Sequence, residues 1–515
     1  MFPLIRTISF LVVLHLASIT TVQAAKLDTS ASGAILSLTL KDAVAQTLEN
    51  NVSISIEKFN SKIKAEGITE SESEFDLTFG ANLSTDEKNR QLASTASSSR
   101  NTSETENLDF DLSLTQKLAT GADYELNFTN SRDETNSTSA TLNPTYSSEL
   151  ELSLTQPILK DYGVDLNKRN IYIAKNNVAI SDFEFKRKVI DIISDVESSY
   201  WDLVFSIDDL EVKKKSLERA RNLERRVKAQ VAAGIVAPIE TLQAESEVAS
   251  REELLLAAQD LIKDNEDNLK NILNMDFDST EGIKSIVPAE HPKVITDEIT
   301  IDEAIKKALS QRPDYLAKKR ELENQDILVK YRENQIYPSV DLVGSLGLNG
   351  LSGEGTGKYQ GDYGSALSDT LSGDYYNWEV GIKLSYPLGN RSAKSQLTAS
   401  RLEKAQLLLS IKSLEKDIIT ETRQVIRQIK TDAKRLQASE VAEKLAEEKL
   451  KAEEKKFKLG LSTSFNVLEF QEDLAEQQRN ELKAIIDFNK SKIRLRQALA
   501  TTLENHNIKL QEEDF

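Results

Sequence analysis

The stretch SGEGTGKY (352–359) sets glycines and a lysine in the order of a phosphate-binding loop. Such a loop needs a glycine five residues before Gly357, and a Ser or Thr after the lysine to hold magnesium. Ser352 and Tyr359 stand in those places, with no strand-then-helix pattern around them, so the glycines read as loop residues. Beyond the leader the histidines are His291 and His506, both in polar flanking segments, and both read as surface residues. There is no cysteine, which excludes disulfides, cysteine metal sites and a lipid-modified amino-terminal cysteine. EEKLKAEEKKFK (447–458) reads as a solvated helix face. No catalytic set converges, and neither an enzyme nor a cofactor is expected.

Two groups of acids remain. Glu240, Glu245 and Glu247 follow Gly234; Glu469, Glu472 and Asp473 follow Gly460. Carboxylates early in a helix are favoured by its dipole in any case. Their interest lies in the duplication around them. VAAGIVAPIETLQAESEVA begins at Val231, FKLGLSTSFNVLEFQEDLA at Phe457, and a shift of 226 residues lays Gly234 on Gly460 and Leu242 on Leu468. Each glycine ends one helix before another begins; glycine tolerates the left-handed backbone that such an end requires. Pro238 suits the first turn of the return helix.

The elements that carry these tips repeat as well. LTLKDAVAQTLENN (from Leu38) and ITIDEAIKKALSQRPD (from Ile299) each open a helix of roughly 35 residues, with Asp42 or Asp302 and Glu303 in the first turn. Alternating segments follow at 75–84, 108–116, 124–130 and 149–157, and again at 339–348 and 378–387; these predict strands with one apolar face. The Ser/Thr/Asn-rich stretches 85–107 and 131–147 and the glycine-rich 349–374 read as exposed loops. A long helix then runs from Pro157 to Gly234 and from Pro387 to Gly460, a rod of roughly 105 Å if about 70 residues are helical. Val189, Ile193, Val196, Tyr200, Leu203, Ile207 and Leu210 form a heptad seam along it. The lengths match if the first return helix, about 238–275, stacks on the opening helix of the second half, and the opening helix of the first half on the last helix, about 465–502.

Residues 1–24 have the pattern of a secretory signal peptide, and Arg6 is their one charge, so removal takes the net charge from -18 to -19. So acidic a chain argues against nucleic acid as a partner. No later run of 18 apolar residues is present, so entry into a membrane must be by strands closed into a barrel. Six strands cannot close a useful pore alone; copies must pool them.

The pieces LSLTQPI, SSYWDLVFSIDDLEV (198–212), GIVAPIETLQAESE and GLSTSFNVLEFQED, in this order and spacing, resemble the TolC family of outer-membrane efflux and secretion ducts over nearly the whole chain beyond the leader. The resemblance implies an α+β membrane protein. A homotrimer shares one β-barrel among outer-membrane lipid, continuous with a hollow periplasmic α-helical barrel. It divides the chain into a signal peptide (1–24), two repeats (25–298 and 299–503) and a polar tail (504–515). It implies a passive exit duct of a tripartite efflux or type I secretion system, joined through a periplasmic adaptor to an inner-membrane pump. Gly234, Ile235, Pro238, Gly460, Leu461 and Ser464 are then the residues that meet the adaptor, and tight glycine turns would let it approach the backbone closely. The family's constriction acids fall on Asn466 and Glu469, one of them neutral. Ser462 stands where some members carry a mouth-locking arginine. Family members usually give four strands per chain; 108–130 adds a hairpin, with a turn at Thr120–Asp123, for twelve or eighteen strands in a trimer. The rival reading is a periplasmic coiled-coil scaffold or adaptor, against which the alternating strands and long polar loops argue.

Overall fold

The computed structural model describes residues 35–92, 102–275, 285–292 and 299–510. The signal-peptide segment lies outside them. In chain order come β1 (Ile35–Leu38), α1 (Leu40–Asn50), α2 (Val52–Glu72), β2 (Thr78–Gln91), β3 (Thr102–Lys117), β4 (Asp123–Thr135), β5 (Leu142–Pro157), α3 (Val164–Asn167), α4 (Arg169–Ala232) and α5 (Ile239–Ile272). The second half gives β6 (Ser285–Pro288), α6 (Ile301–Gln311), α7 (Pro313–Asn334), β7 (Ser339–Gly355), α8 (Tyr363–Ser372), β8 (Tyr376–Ser385), α9 (Arg391–Lys458), α10 (Ser464–Ala498) and α11 (Thr502–Asn505).

Six strands form one antiparallel sheet in the order β2-β3-β4-β5-β7-β8. The 108–130 segment is therefore a hairpin within the main sheet, its chain reversing through residues 118–122. Register gives the sheet two unlike faces. One row runs Leu112, Phe128, Leu150, Leu348, Tyr376 and the next Leu114, Leu126, Leu152, Leu346, Trp378. The opposite face carries Ser, Thr, Asn and acids. The strands run well past their alternating cores. The stretches 85–107, 131–147 and 349–374, expected as loops, contribute paired backbone on β2, β3, β4, β5 and β7, and α8 besides. Ladder hydrogen bonds need no apolar face, so a polar sheet wet on both sides leaves no period to read.

The two long helices are 64 and 68 residues, about 96 Å and about 102 Å. The seam on α4 is buried along Val189, Ile193, Val196, Tyr200 and Leu203, and becomes partly exposed at Ile207 and Leu210. It packs where β1 and β6 pair in parallel: the Tyr200 hydroxyl donates to Leu38 O at 3.1 Å and accepts from Glu290 N at 3.2 Å.

Three expectations are corrected. The opening helices are not continuous. Each breaks at one extended residue, Asn51 (ψ 120°) or Arg312 (ψ 121°). Pro313 disfavours the helical conformation at Arg312, and the Asn51 side chain accepts from Ser53 N and Ile54 N to cap α2. Stacking is within halves rather than across them. Asn51 Nδ2 donates to Ile272 O at 2.8 Å, which joins the end of α5 to the start of α2. Lys307 and Gln311 on α6 reach Glu504 just beyond α10. Equal lengths permitted either pairing; bonds at the helix ends decided it. Finally, His506 is not a surface residue. Its Nε2 lies 3.1 Å from Oε1 of buried Glu197, which also accepts from Arg496 at 2.7 Å.

Candidate functional site

The two tips are built alike. Gly234 and Gly460 both have φ +72°. At the first, Gly234 N bonds Val231 O and Ile235 N bonds Gln230 O, each at 2.9 Å; at the second, Gly460 N bonds Phe457 O at 3.1 Å and Leu461 N bonds Lys456 O at 2.9 Å. These are the crossed bonds of a left-handed helix cap, and they satisfy the last carbonyls of α4 and α9. Neither glycine has a heavy atom within 4 Å of where a Cβ would stand, so within this chain nothing crowds them. Pro238 stands one residue before α5 with a helical φ of -55°. Thr463 caps α10, its side chain accepting from Asn466 N.

Ile235 (69% exposed) and Leu461 (74%) project from the tips, with Ile239, Leu242, Leu459 and Phe465 also exposed around them. Sequence reasoning missed these last four; large apolar side chains in the turns beside a capping glycine were the available signal. Ser464, expected in the same exposed set, is only 3% exposed, and its hydroxyl donates to Glu240 at the start of α5. It ties the two tips together instead of facing outward.

Arg251 was also missed, since one arginine among many charges on α5 gives no signal. It is 4% exposed and holds three helices at once. Its guanidinium donates to Ser216 O on α4 at 3.0 Å, to Leu468 O and Gln471 Oε1 on α10, each at 3.3 Å, and to Glu247 on its own helix at 2.7 Å. Ser462, in the place of the locking arginine, donates to Glu453 of its own hairpin at 2.5 Å and accepts from Asn466 Nδ2 at 3.3 Å. The Ser462 hydroxyl and then the Lys456 ammonium hold the Glu453 carboxyl below its ordinary value. Asn466 is half-buried in this network; Glu469, one turn on, is exposed and makes no hydrogen bond or ion pair among the described residues.

A polar-faced sheet joined to rods about 100 Å long, with duplicated tips at the far end, is the architecture of a duct. The family model for outer membrane efflux proteins matches residues 75–275 and 304–501, most of the chain. The chain belongs to the outer membrane efflux protein family. It is accordingly an outer-membrane channel component that extends into the periplasm. The family consists of channel proteins, and their work in tripartite efflux systems implies an adaptor and a pump as partners. Nodulation protein T of Rhizobium leguminosarum bv. trifolii is 24% identical over 351 residues, covering 66% of this chain and 68% of that protein. The fold is shared with the CmeC outer membrane channel of Campylobacter jejuni (TM-score 0.66, 14% identity, 92% of this chain and 90% of that one). It is shared also with the outer membrane protein VceC of Vibrio cholerae (TM-score 0.63, 17% identity, 90% and 96%). No helix among the described residues of this efflux protein is long and apolar enough to cross a membrane.

Proposed function

We propose that three copies close one passive exit duct, with eighteen strands as a barrel through the outer membrane and the helices as a hollow barrel below it. The free edges of the sheet support this most. β2 and β8 lie at opposite ends and, in a sheet of six alternating strands, run in opposite directions. β8 of one copy can therefore pair antiparallel with β2 of the next, and a ring of copies leaves no edge. Three sheets of six make eighteen strands, in the size range that leaves an aqueous channel. The apolar face would meet lipid and the acidic face would line the lumen. The helices suggest the same junction: α2 exposes Val52, Ile56, Phe59 and Ile63 at 4,3,4 spacing, and α9 exposes Leu402 and Leu409 one heptad apart.

At the far end, Gly234, Ile235, Gly460 and Leu461 form the core of an apolar surface for the adaptor, and Asn466 and Glu469 stand near the mouth. Light scattering of the detergent-purified protein tests the assembly: a trimer is expected, and a monomer alone would overturn it. Carbonate washing tests the class: a peripheral scaffold leaves the membrane, and this duct stays.

A further inference from the structure

The connection between β7 and β8 does not simply loop over the sheet. It carries α8, ten residues long, folded back onto one face. Gly350 identifies that face. In the β7 register Gly350 points the same way as Leu348 and Leu346, and a Cβ there would stand 1.9 Å from Ala366 O and 2.4 Å from Thr370 Oγ1 of α8. Only glycine admits the helix so close. Asn130, one step along β4 from Phe128 on the same face, accepts from Tyr363 Oη at 2.6 Å and from Ser148 Oγ at 2.9 Å. Tyr146 meets the Tyr363 ring edge-on at 6.4 Å. α8 therefore rests on the apolar wall of the sheet.

Its level on that wall is equally defined. The row beneath it is Leu112, Phe128, Leu150, Leu348 and Tyr376. The row above its seat holds Leu108, Arg132, Tyr146 and Ser352, and Glu106 pairs with Glu134 beyond. Below, apolar side chains continue on β8 from Tyr376 to Leu384, about 27 Å of strand at 3.4 Å per residue and about 20 Å along the normal of a barrel tilted by about 40°. α8 sits where that belt gives way to charge. Tyrosines gather at the same level: Tyr359 and Tyr375 pack edge-on at 6.2 Å with Lys358 Nζ 3.2 Å from Tyr375 Oη, and Tyr376 and Tyr363 lie exposed beside them. Tyrosine is enriched where a barrel passes from lipid to water, because its ring is apolar and its hydroxyl wet. The outer side of α8 is small and uncharged at Gly364, Ser365 and Ser368, with Leu371 69% exposed.

We propose that α8 is an interfacial collar, held on the lipid-facing wall at the level of the outer leaflet's polar headgroups, with Leu371 directed into that layer. This rests on the barrel reading, in which the apolar face meets lipid. The partner is a bilayer surface, and the collar marks how far the barrel sinks into it.

The absence of native cysteine permits single labels without background. Nitroxides are attached to Leu371→Cys, Trp378→Cys and Glu354→Cys in the full-length protein. Their depth is then read in phosphatidylethanolamine–phosphatidylglycerol vesicles by oxygen against water-soluble nickel accessibility. The expected order is 378 within the hydrocarbon, 371 at headgroup depth and 354 in water. A label at 371 as wet as that at 354, with 378 still deep, would overturn the collar and leave the barrel standing. A wet label at 378 would overturn the barrel reading and the collar with it.

Discussion

Gly234 and Gly460 have open space around them, so their constraint is the backbone angle alone. Any L-residue there costs about 1–2 kcal/mol, whatever its size. Alanine and leucine at either position are therefore expected to lower the thermal midpoint alike and to leave the trimer intact. Export should separate them. Leucine would place bulk on the docking surface beside Ile235 or Leu461 and weaken efflux more than alanine does; equal loss in a strain without other ducts would make the turn, not the surface, responsible. Arg251 makes a different demand, because three of its four hydrogen bonds tie α5 to α4 and α10. Arg251→Met removes the buried charge and its bonds together; it leaves the Gln471 amide oxygen without its donor and Glu247 without its cation, while the Leu468 and Ser216 carbonyls keep their bonds within their own helices. Gln471 is buried, and losing the donor to its oxygen costs about 1–3 kcal/mol at most. Hydrogen exchange over 464–474 is expected to quicken, while exchange near Tyr200 stays unchanged.

The second tip hairpin, α9 with α10, carries a pH dependence of its own. The Ser462 hydroxyl, and after it Lys456, depress the Glu453 carboxyl below 4.5 in the folded chain. Between that depressed value and 4.5 the unfolded hairpin binds more protons than the folded one, so folding weakens as pH falls. The contribution is fully present above about pH 4.5 and is lost as pH drops through the folded value. Exchange protection of 455–466 should fall over that acid window. Ser462→Ala should shrink the pH dependence; an unchanged profile would show that the bond does not hold the tip. The other elements show how local chemistry sets length: Pro313 and Asn51 end the opening helices at equivalent places by different means.

Across the whole duct, charge is unevenly placed. Asp109, Asp111, Glu125, Glu149, Glu151 and Glu379 stand on the polar face of the sheet, where Lys383 lies opposite Asp341 in the β7–β8 register. Three copies would line the lumen with carboxylates, and a confined negative wall concentrates cations. Reconstituted channels should therefore be cation-selective, read as a reversal potential in a salt gradient. Glu469 contributes elsewhere: nine residues beyond Gly460, it would bring three carboxylates to the mouth. Glu469→Ala should relieve block by a trivalent cation added from the periplasmic side and leave the reversal potential nearly unchanged. Equal block in both channels would remove Glu469 from the constriction and return it to an acid favoured by the helix dipole.

What could be read from the sequence alone was whatever repeats along the chain. Alternation located the apolar-faced cores of all six strands, the heptad steps located the seam at Val189–Leu203, and the duplicated glycines located two equivalent helix ends. Each is periodic or local, so a residue's own neighbours specify it. Tertiary structure decided what depended on distant partners. Polar strand extensions exist because a neighbouring strand offers its backbone. α5 leads into α2 because Asn51 meets the carbonyl of Ile272. Ser464 is buried and His506 half-buried because Glu240 and Glu197, more than two hundred residues away, come to meet them. α8 lies on the apolar wall because Gly350 leaves room for it. A polar side chain carries no mark of its future partner; only folding brings the partner within hydrogen-bond reach and so determines whether that side chain meets protein or water.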